Sequence, residues 1–153
     1  MAKAAKRKTR RARAPKASGY AFYTLMRNDL ASMNPGKACA QSTHAAHAQV
    51  AMLMRLKGPQ RKVWQQAFLA WSKESRQGFG TAITKEAPIE EIRKAVKEAR
   101  KAGLLADIIL DDTYPLRDGQ VTHLFPLQTC AFVFGKRETV KACPTLGPMV
   151  LMS

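Results

Sequence analysis

The chain has 153 residues, which is long enough for one compact domain with a buried core. It carries 26 Lys and Arg residues against 11 Asp and Glu residues, and this formal net charge of +15 favours a polyanionic partner, most simply nucleic acid. Because the sequence shows neither a secretory signal nor a long apolar run, we expect an intracellular protein without a membrane-spanning helix.

The N-terminal segment is strongly basic and has no core-forming residues. Residues 1–18 contain eight Lys and Arg residues, no acid, and no Leu, Ile, Val, Phe or Trp. We therefore expect a disordered basic arm over residues 1–18 and a folded domain over residues 19–153. The arm is open to three interpretations: it grasps RNA or DNA, it only solubilises the protein, or it is a mitochondrial transit peptide. The arm offers no apolar helix face, so a cytoplasmic location is favoured over import.

The rest of the chain alternates between strand and helix patterns. Apolar runs predict strands at residues 20–26, 80–84, 104–110 and 129–134. Helical periodicity predicts helices from about Gly36 to Lys57, at 60–75, from Pro88 to Gly103, and more weakly at 136–143. Strands separated by helices predict an α/β fold with a mixed or mostly parallel sheet.

The junction between the first strand and the first helix has the features of an anion-binding site. A polar turn, Asn34-Pro35-Gly36, leads into the helix and aims its N-terminal N–H groups outward. Lys37 lies on the first turn of this helix, where a cation is electrostatically unfavourable. We therefore expect Lys37 to reach toward an anionic ligand or a carboxylate.

This junction also carries a resemblance to a known family. Arg27-Asn28-Asp29-Leu30, followed by Gly36-Lys37-Ala38-Cys39-Ala40-Gln41-Ser42-Thr43-His44-Ala45-Ala46, resembles the N-terminal signature of the type II peptidyl-tRNA hydrolases. The resemblance implies a three-layer α/β/α sandwich around a four-stranded mixed sheet, covering roughly residues 20–150. It further implies hydrolysis of the ester that joins a peptide to the 3′ ribose of tRNA, without a metal or organic cofactor.

The family places a catalytic Asp and Thr in a loop before the last strand, and this chain matches that loop in two ways. Asp118 and Thr122 have the family's Asp-to-Thr spacing, whereas Asp111 has the expected distance from Gly103. Either match leaves an insertion of about seven residues. We favour Asp118 with Thr122 and keep Asp111 as the rival. An acidic loop that only forms a turn is the structural alternative.

The resemblance assigns provisional roles to the site residues. The aspartate would activate water, Lys37 would hold the developing oxyanion or a phosphate, Thr122 and Gln41 would donate hydrogen bonds, and His44 would steady the helix or assist proton movement. The residues expected to contact the nucleic-acid backbone are Lys6, Arg7, Lys8, Arg10, Arg11, Arg13, Arg55, Lys57, Arg61, Lys62, Lys136 and Arg137.

The expected partner is peptidyl-tRNA, with the ribosome or another nucleic acid as further candidates. We expect no membrane partner, and the resemblance leaves a homodimer open. The main alternative is a protein that keeps this fold without turnover, a basic nucleic-acid-binding component of a ribosome or a virion. His44 and His47 lack a third ligand at a matching offset, so no metal site is expected. The cysteines, Cys39, Cys130 and Cys143, are expected to be reduced packing residues.

Overall fold

The computed structural model describes residues 17–152. All but the last two residues of the predicted basic arm therefore lie outside the described residues. Within them, four strands and four helices follow in the order β1 Tyr20–Arg27, α1 Pro35–Arg55, α2 Gly58–Ser72, β2 Ala82–Ala87, α3 Ile89–Lys101, β3 Leu105–Asp118, β4 Val121–Lys136 and α4 Arg137–Ala142. No helix among residues 17–152 is long and apolar enough to cross a bilayer.

The strands form one mixed sheet with the order β2-β1-β4-β3. β1 and β2 are parallel, and β4 runs antiparallel to both β1 and β3. Side chains alternate across β1, so that Phe22 and Met26 face the core under α1 and α2, whereas Tyr23 and Leu25 face the core under α3 and α4. The predicted α/β fold, with helices on both faces of a four-stranded mixed sheet, is confirmed.

Helix α1 begins where the sequence predicts and packs on one face of the sheet against β1, β3 and β4. The Asn34 side chain accepts a hydrogen bond from the Lys37 N–H, and Pro35 occupies the first turn, where its missing N–H costs nothing. Small buried residues, Ala38 and Ala45, let the helix lie close to the strands. The first two turns of α1 therefore lie at the end of the sheet where β1 finishes.

The predicted loop at 111–129 is wrong, because this segment is a long β-hairpin. β3 and β4 remain paired from Leu105 with Phe134 out to Asp118 with Val121. Gly119 takes a positive φ of 57° in the two-residue turn, a conformation that favours glycine. Register shifts between Ile109 and Leu110 and between Asp111 and Tyr114 mark where the hairpin leaves the sheet.

Candidate functional site

The carboxamide of Gln41 is the centre of a buried polar network between α1 and the root of the β3–β4 hairpin. Gln41 is 3 % exposed. Its Nε2 donates to Asp111 Oδ2 at 2.6 Å, and its Oε1 accepts from the Thr129 hydroxyl at 2.5 Å. Because a carboxylate only accepts and the Thr129 hydroxyl can donate, both contacts fix the same orientation of the amide. Gln41 therefore holds Asp111 against the first helix.

His44, one turn further along α1, adds an exposed ring to this network. Its Nδ1 lies 3.3 Å from Gln41 Oε1 and 3.9 Å from Asp111 Oδ2. Since Gln41 Oε1 can only accept, the hydrogen bond requires that Nδ1 carries a proton. The other oxygen of Asp111, Oδ1, accepts from the Thr113 N–H at 3.0 Å. The Asp111 side chain is thus held at both oxygens and is 11 % exposed.

Lys37 meets the hairpin rather than a carboxylate. Its ammonium donates to the Pro115 carbonyl oxygen at 2.6 Å and lies 4.6 Å from the centre of the Tyr114 ring. The Tyr114 side chain is fully buried, and its hydroxyl lies 3.2 Å from Ser32 Oγ in the turn before α1. Within residues 17–152, no carboxylate oxygen comes within 4.0 Å of the Lys37 ammonium. The expected Lys–Asp contact is therefore absent from the described part of the chain.

The structure separates the two candidate acids. Asp118 and Thr122 are exposed residues at the tip of the hairpin, where Asp118 pairs with Val121 and Thr122 with Arg117. Asp111 lies at the root of the hairpin in the Gln41 network. The favoured pair, Asp118 with Thr122, is not brought to Gln41 and His44, because paired β structure replaces the expected loop and carries both residues outward.

The basic residues predicted within the domain lie away from this site. Arg55 is the last residue of α1, roughly 27 Å along the helix axis from Lys37 at 1.5 Å per residue, and Lys57 follows two residues later. Lys136 pairs with Tyr20 at the end of the sheet where β1 begins, opposite the site. The other residues in this set that share that end are Arg61, Lys62 and Arg137.

Arg137 also makes hydrogen bonds within the domain. Its guanidinium donates to the Tyr20 carbonyl oxygen at 3.4 Å and to the Thr81 hydroxyl at 2.5 Å. These contacts tie α4 to the strands beside it. Backbone contact with nucleic acid by this whole basic set stays a prediction.

The Arg27-Asn28-Asp29-Leu30 stretch shapes the turn that leads into α1. Arg27 donates through Nε to Asp29 Oδ1 at 2.8 Å and through Nη1 to the Gln128 carbonyl oxygen at 3.0 Å. The hydrogen bond from Arg27 holds the pKa of Asp29 below its ordinary value. Asp29 also accepts from the Ile89 N–H at 3.3 Å, at the start of α3. These residues connect the turn to β4 and α3 and are not themselves in the polar network.

Thr129 and Tyr114 are site residues to which sequence reasoning gave no role. Thr129 could have been found from its position one residue before the apolar run of β4, but its partner on α1 depends on the sheet register. Cys130, next to Thr129, is buried, and burial raises the pKa of its thiol to about 12. A thiol that stays protonated is a packing residue, not a nucleophile. Among residues 17–152, no cluster of His, Cys, Asp and Glu side chains suits a metal ion.

A protein-family model matches most of the domain. The family model described as Peptidyl-tRNA hydrolase PTH2 matches residues 20–131. This range starts at β1 and ends within β4, so it contains α1, Asp111 and the tip of the hairpin. A search of curated proteins finds no match.

Proposed function

Because this chain belongs to the PTH2 family of peptidyl-tRNA hydrolases, we propose that it hydrolyses the ester bond of peptidyl-tRNA and releases the peptide and free tRNA. The observation that carries the proposal is the Gln41-centred network, which holds a nearly buried carboxylate beside the N-terminal turns of α1. An ester hydrolase needs a group that accepts a proton from water and a positive environment for the oxyanion. The first two turns of α1 supply Lys37 as the positive group and Gln41 as the residue that holds Asp111 of β3 as the proton acceptor.

Asp111 is the proposed proton acceptor. Asp111 Oδ1 accepts from both the N–H and the hydroxyl of Thr113, whereas Oδ2 accepts one hydrogen bond from Gln41 and has a second lone pair for a water molecule. A water bound there would be deprotonated as it attacks the ester carbonyl carbon. The proton that Asp111 takes from this water would then be given to the leaving 3′ oxygen, which regenerates the carboxylate, while His44, whose Nδ1 proton points into the network, holds Gln41 in place.

Lys37 and the end of α1 are the proposed anion-stabilising groups. Lys37 donates one of its three ammonium hydrogens to Pro115, which leaves two for the substrate. The positive N-terminal end of the α1 dipole adds to this charge at the same place. The tetrahedral oxyanion, or the phosphate next to the terminal ribose, is the negative group that this environment favours.

The second candidate function is nucleic-acid binding without turnover. It is favoured by the contact of Lys37 with Pro115 and Tyr114, which occupies part of the ammonium with protein groups. The hairpin beyond Asp111 supplies these groups and is an addition relative to the loop that the family resemblance implies. In this function the same surface would hold tRNA and leave the ester intact.

Release of peptide from purified peptidyl-tRNA discriminates between the two functions. The wild type should release peptide, whereas Lys37→Ala should lose about 100-fold in kcat/KM and still bind tRNA. Lys97→Ala is the matched control, because Lys97 is an exposed lysine on α3, across the sheet from α1. A wild type that binds tRNA without releasing peptide would overturn the hydrolase proposal and leave the binding function.

A further inference from the structure

The part of the hairpin beyond the sheet, residues 112–126, forms an exposed projection that we call the hairpin arm. We propose that one side of the hairpin arm binds the unpaired nucleotides at the 3′ end of tRNA by stacking their bases on His123 and Phe125. This inference rests on the proposed function, since it names the part of that substrate which the arm contacts. The hairpin arm replaces the loop that the family resemblance implies at this place, and the inference gives this additional segment a role.

The register of the arm shows which side faces the site. Tyr114 pairs with Phe125, and Leu116 pairs with His123, without a register shift between these pairs. Residues directly opposite each other, and residues two apart on one strand, share a face of a β-ribbon. Tyr114 lies against the Lys37 ammonium. Phe125 and His123 therefore continue outward on the face whose inner end is Tyr114 over Lys37.

The two rings have the geometry and exposure of a stacking surface. Their centroids are 5.9 Å apart with an interplanar angle of 35°. Phe125 is 48 % exposed, and His123 is exposed as well. An apolar ring that remains half exposed, beside a second exposed ring, can hold a nucleobase on its open side. Aromatic side chains bind single-stranded RNA in this way without reading its sequence.

Charge and position favour RNA as the occupant over a protein or a lipid surface. Residues 19–153 contain 18 Lys and Arg residues against 11 acids, whereas the arm itself carries Arg117 with Asp112 and Asp118, so the favourable charge comes from the domain around the arm. The arm begins directly after Asp111, and Tyr114 at its inner end lies against Lys37, so the arm offers a surface for the nucleotides that precede an ester bound at these two residues. The unpaired end of the substrate is the segment of tRNA nearest to that ester, and it is therefore the occupant that we assign to the two exposed rings.

Binding of a short single-stranded RNA with the sequence of a tRNA 3′ end tests this inference without requiring turnover. We expect Phe125→Ser to weaken binding by about tenfold and the double variant Phe125→Ser/His123→Ser to weaken it further. Leu124→Ser is the matched control: Leu124 lies between the two rings, is 61 % exposed and faces the opposite side of the arm. Fluorescence anisotropy at fixed ionic strength gives the Kd, and thermal unfolding checks that each variant folds.

Kinetics with intact peptidyl-tRNA separates a failure of this inference from a failure of the proposed function. The double variant should raise KM and preserve kcat, because the rings bind the substrate away from the reacting bond. A wild type without hydrolysis would overturn the function, and the oligonucleotide Kd would still test the arm. If the double variant and Leu124→Ser bind the oligonucleotide as tightly as the wild type, the stacking role is wrong.

Discussion

The root and the tip of the β3–β4 hairpin contain acidic residues in opposite environments. At the root, Asp111 has both oxygens hydrogen-bonded, and only 11 % of its side chain is exposed. At the tip, Asp118 is an exposed residue beside a two-residue turn. The sequence around Asp118 has the better spacing to a threonine, yet the packing against Gln41 belongs to Asp111. Spacing along the chain therefore identifies a motif, whereas contact with α1 identifies the carboxylate that can act with it.

The environment of an acid decides what chemistry it can perform. An exposed carboxylate is surrounded by water that competes for its hydrogen bonds, so it holds no single water in a fixed place. A carboxylate fixed at both oxygens presents its remaining lone pairs in set directions, which is what general base catalysis requires. Substitutions in each region test whether the acid at the root, and not the acid at the tip, acts as the general base.

Replacing each of the two acids separately with Asn should give the largest difference in kcat/KM. Asp111→Asn preserves shape but removes the proton acceptor and places an amide opposite Gln41 Nε2, so kcat/KM for peptidyl-tRNA should fall by about 100-fold or more. Asp118→Asn should leave kcat close to that of the wild type, because Asp118 lies outside the network. A large loss in Asp118→Asn with little loss in Asp111→Asn would reverse the assignment of root and tip.

Substitutions of Tyr114, where the arm meets α1, should have a smaller effect on kcat and a separate effect on the free energy of unfolding. Tyr114→Leu removes the ring beside the Lys37 ammonium and shortens a fully buried side chain, so we expect kcat to fall about tenfold and the free energy of unfolding to fall by about 2–4 kcal/mol. Tyr114→Phe keeps the ring and loses the hydroxyl contact with Ser32, at a cost of about 1 kcal/mol in stability.

The comparison of these two Tyr114 variants is the control. Steady-state kinetics and urea unfolding should show kcat retained in Tyr114→Phe and lost in Tyr114→Leu. Equal losses of kcat in both variants would mean that the hydroxyl, and not the ring beside Lys37, is what the site needs.

The sequence predicts the order of strands and helices better than it predicts the residues that meet in the candidate site. The start of α1 follows from Asn34 and Pro35, and the alternation of strands and helices leads to the observed fold, because these signals are local. The hairpin was missed because Asp, Gly, Thr and Pro residues favour turns, whereas here cross-strand pairing extends β structure through them. The contact of Gln41 with Thr129 joins residues far apart in the chain, so only the sheet register reveals it.

A substitution of Glu74, at the opposite end of the sheet, should change the stability of the domain without changing its activity. Glu74 accepts hydrogen bonds from the N–H and hydroxyl groups of both Ser18 and Thr81. Burial opposes ionisation of Glu74, but these hydrogen bonds outweigh it and hold its pKa at about 2, below the ordinary value of 4.5. The carboxylate therefore stabilises the fold above pH 4.5, and this contribution is lost as the pH falls toward 2.

Glu74→Gln should accordingly lower the free energy of unfolding at neutral pH by about 1–2 kcal/mol, because one amide cannot accept all four hydrogen bonds. The difference from the wild type in urea unfolding should shrink as the pH is lowered through 4.5 toward 2, while kcat at neutral pH is unchanged. Glu91→Gln, at an exposed position on α3, is the matched control and should show neither effect. A stability difference independent of pH would mean that the shape of the Glu74 side chain, and not its charge, joins the start of β1 to Thr81.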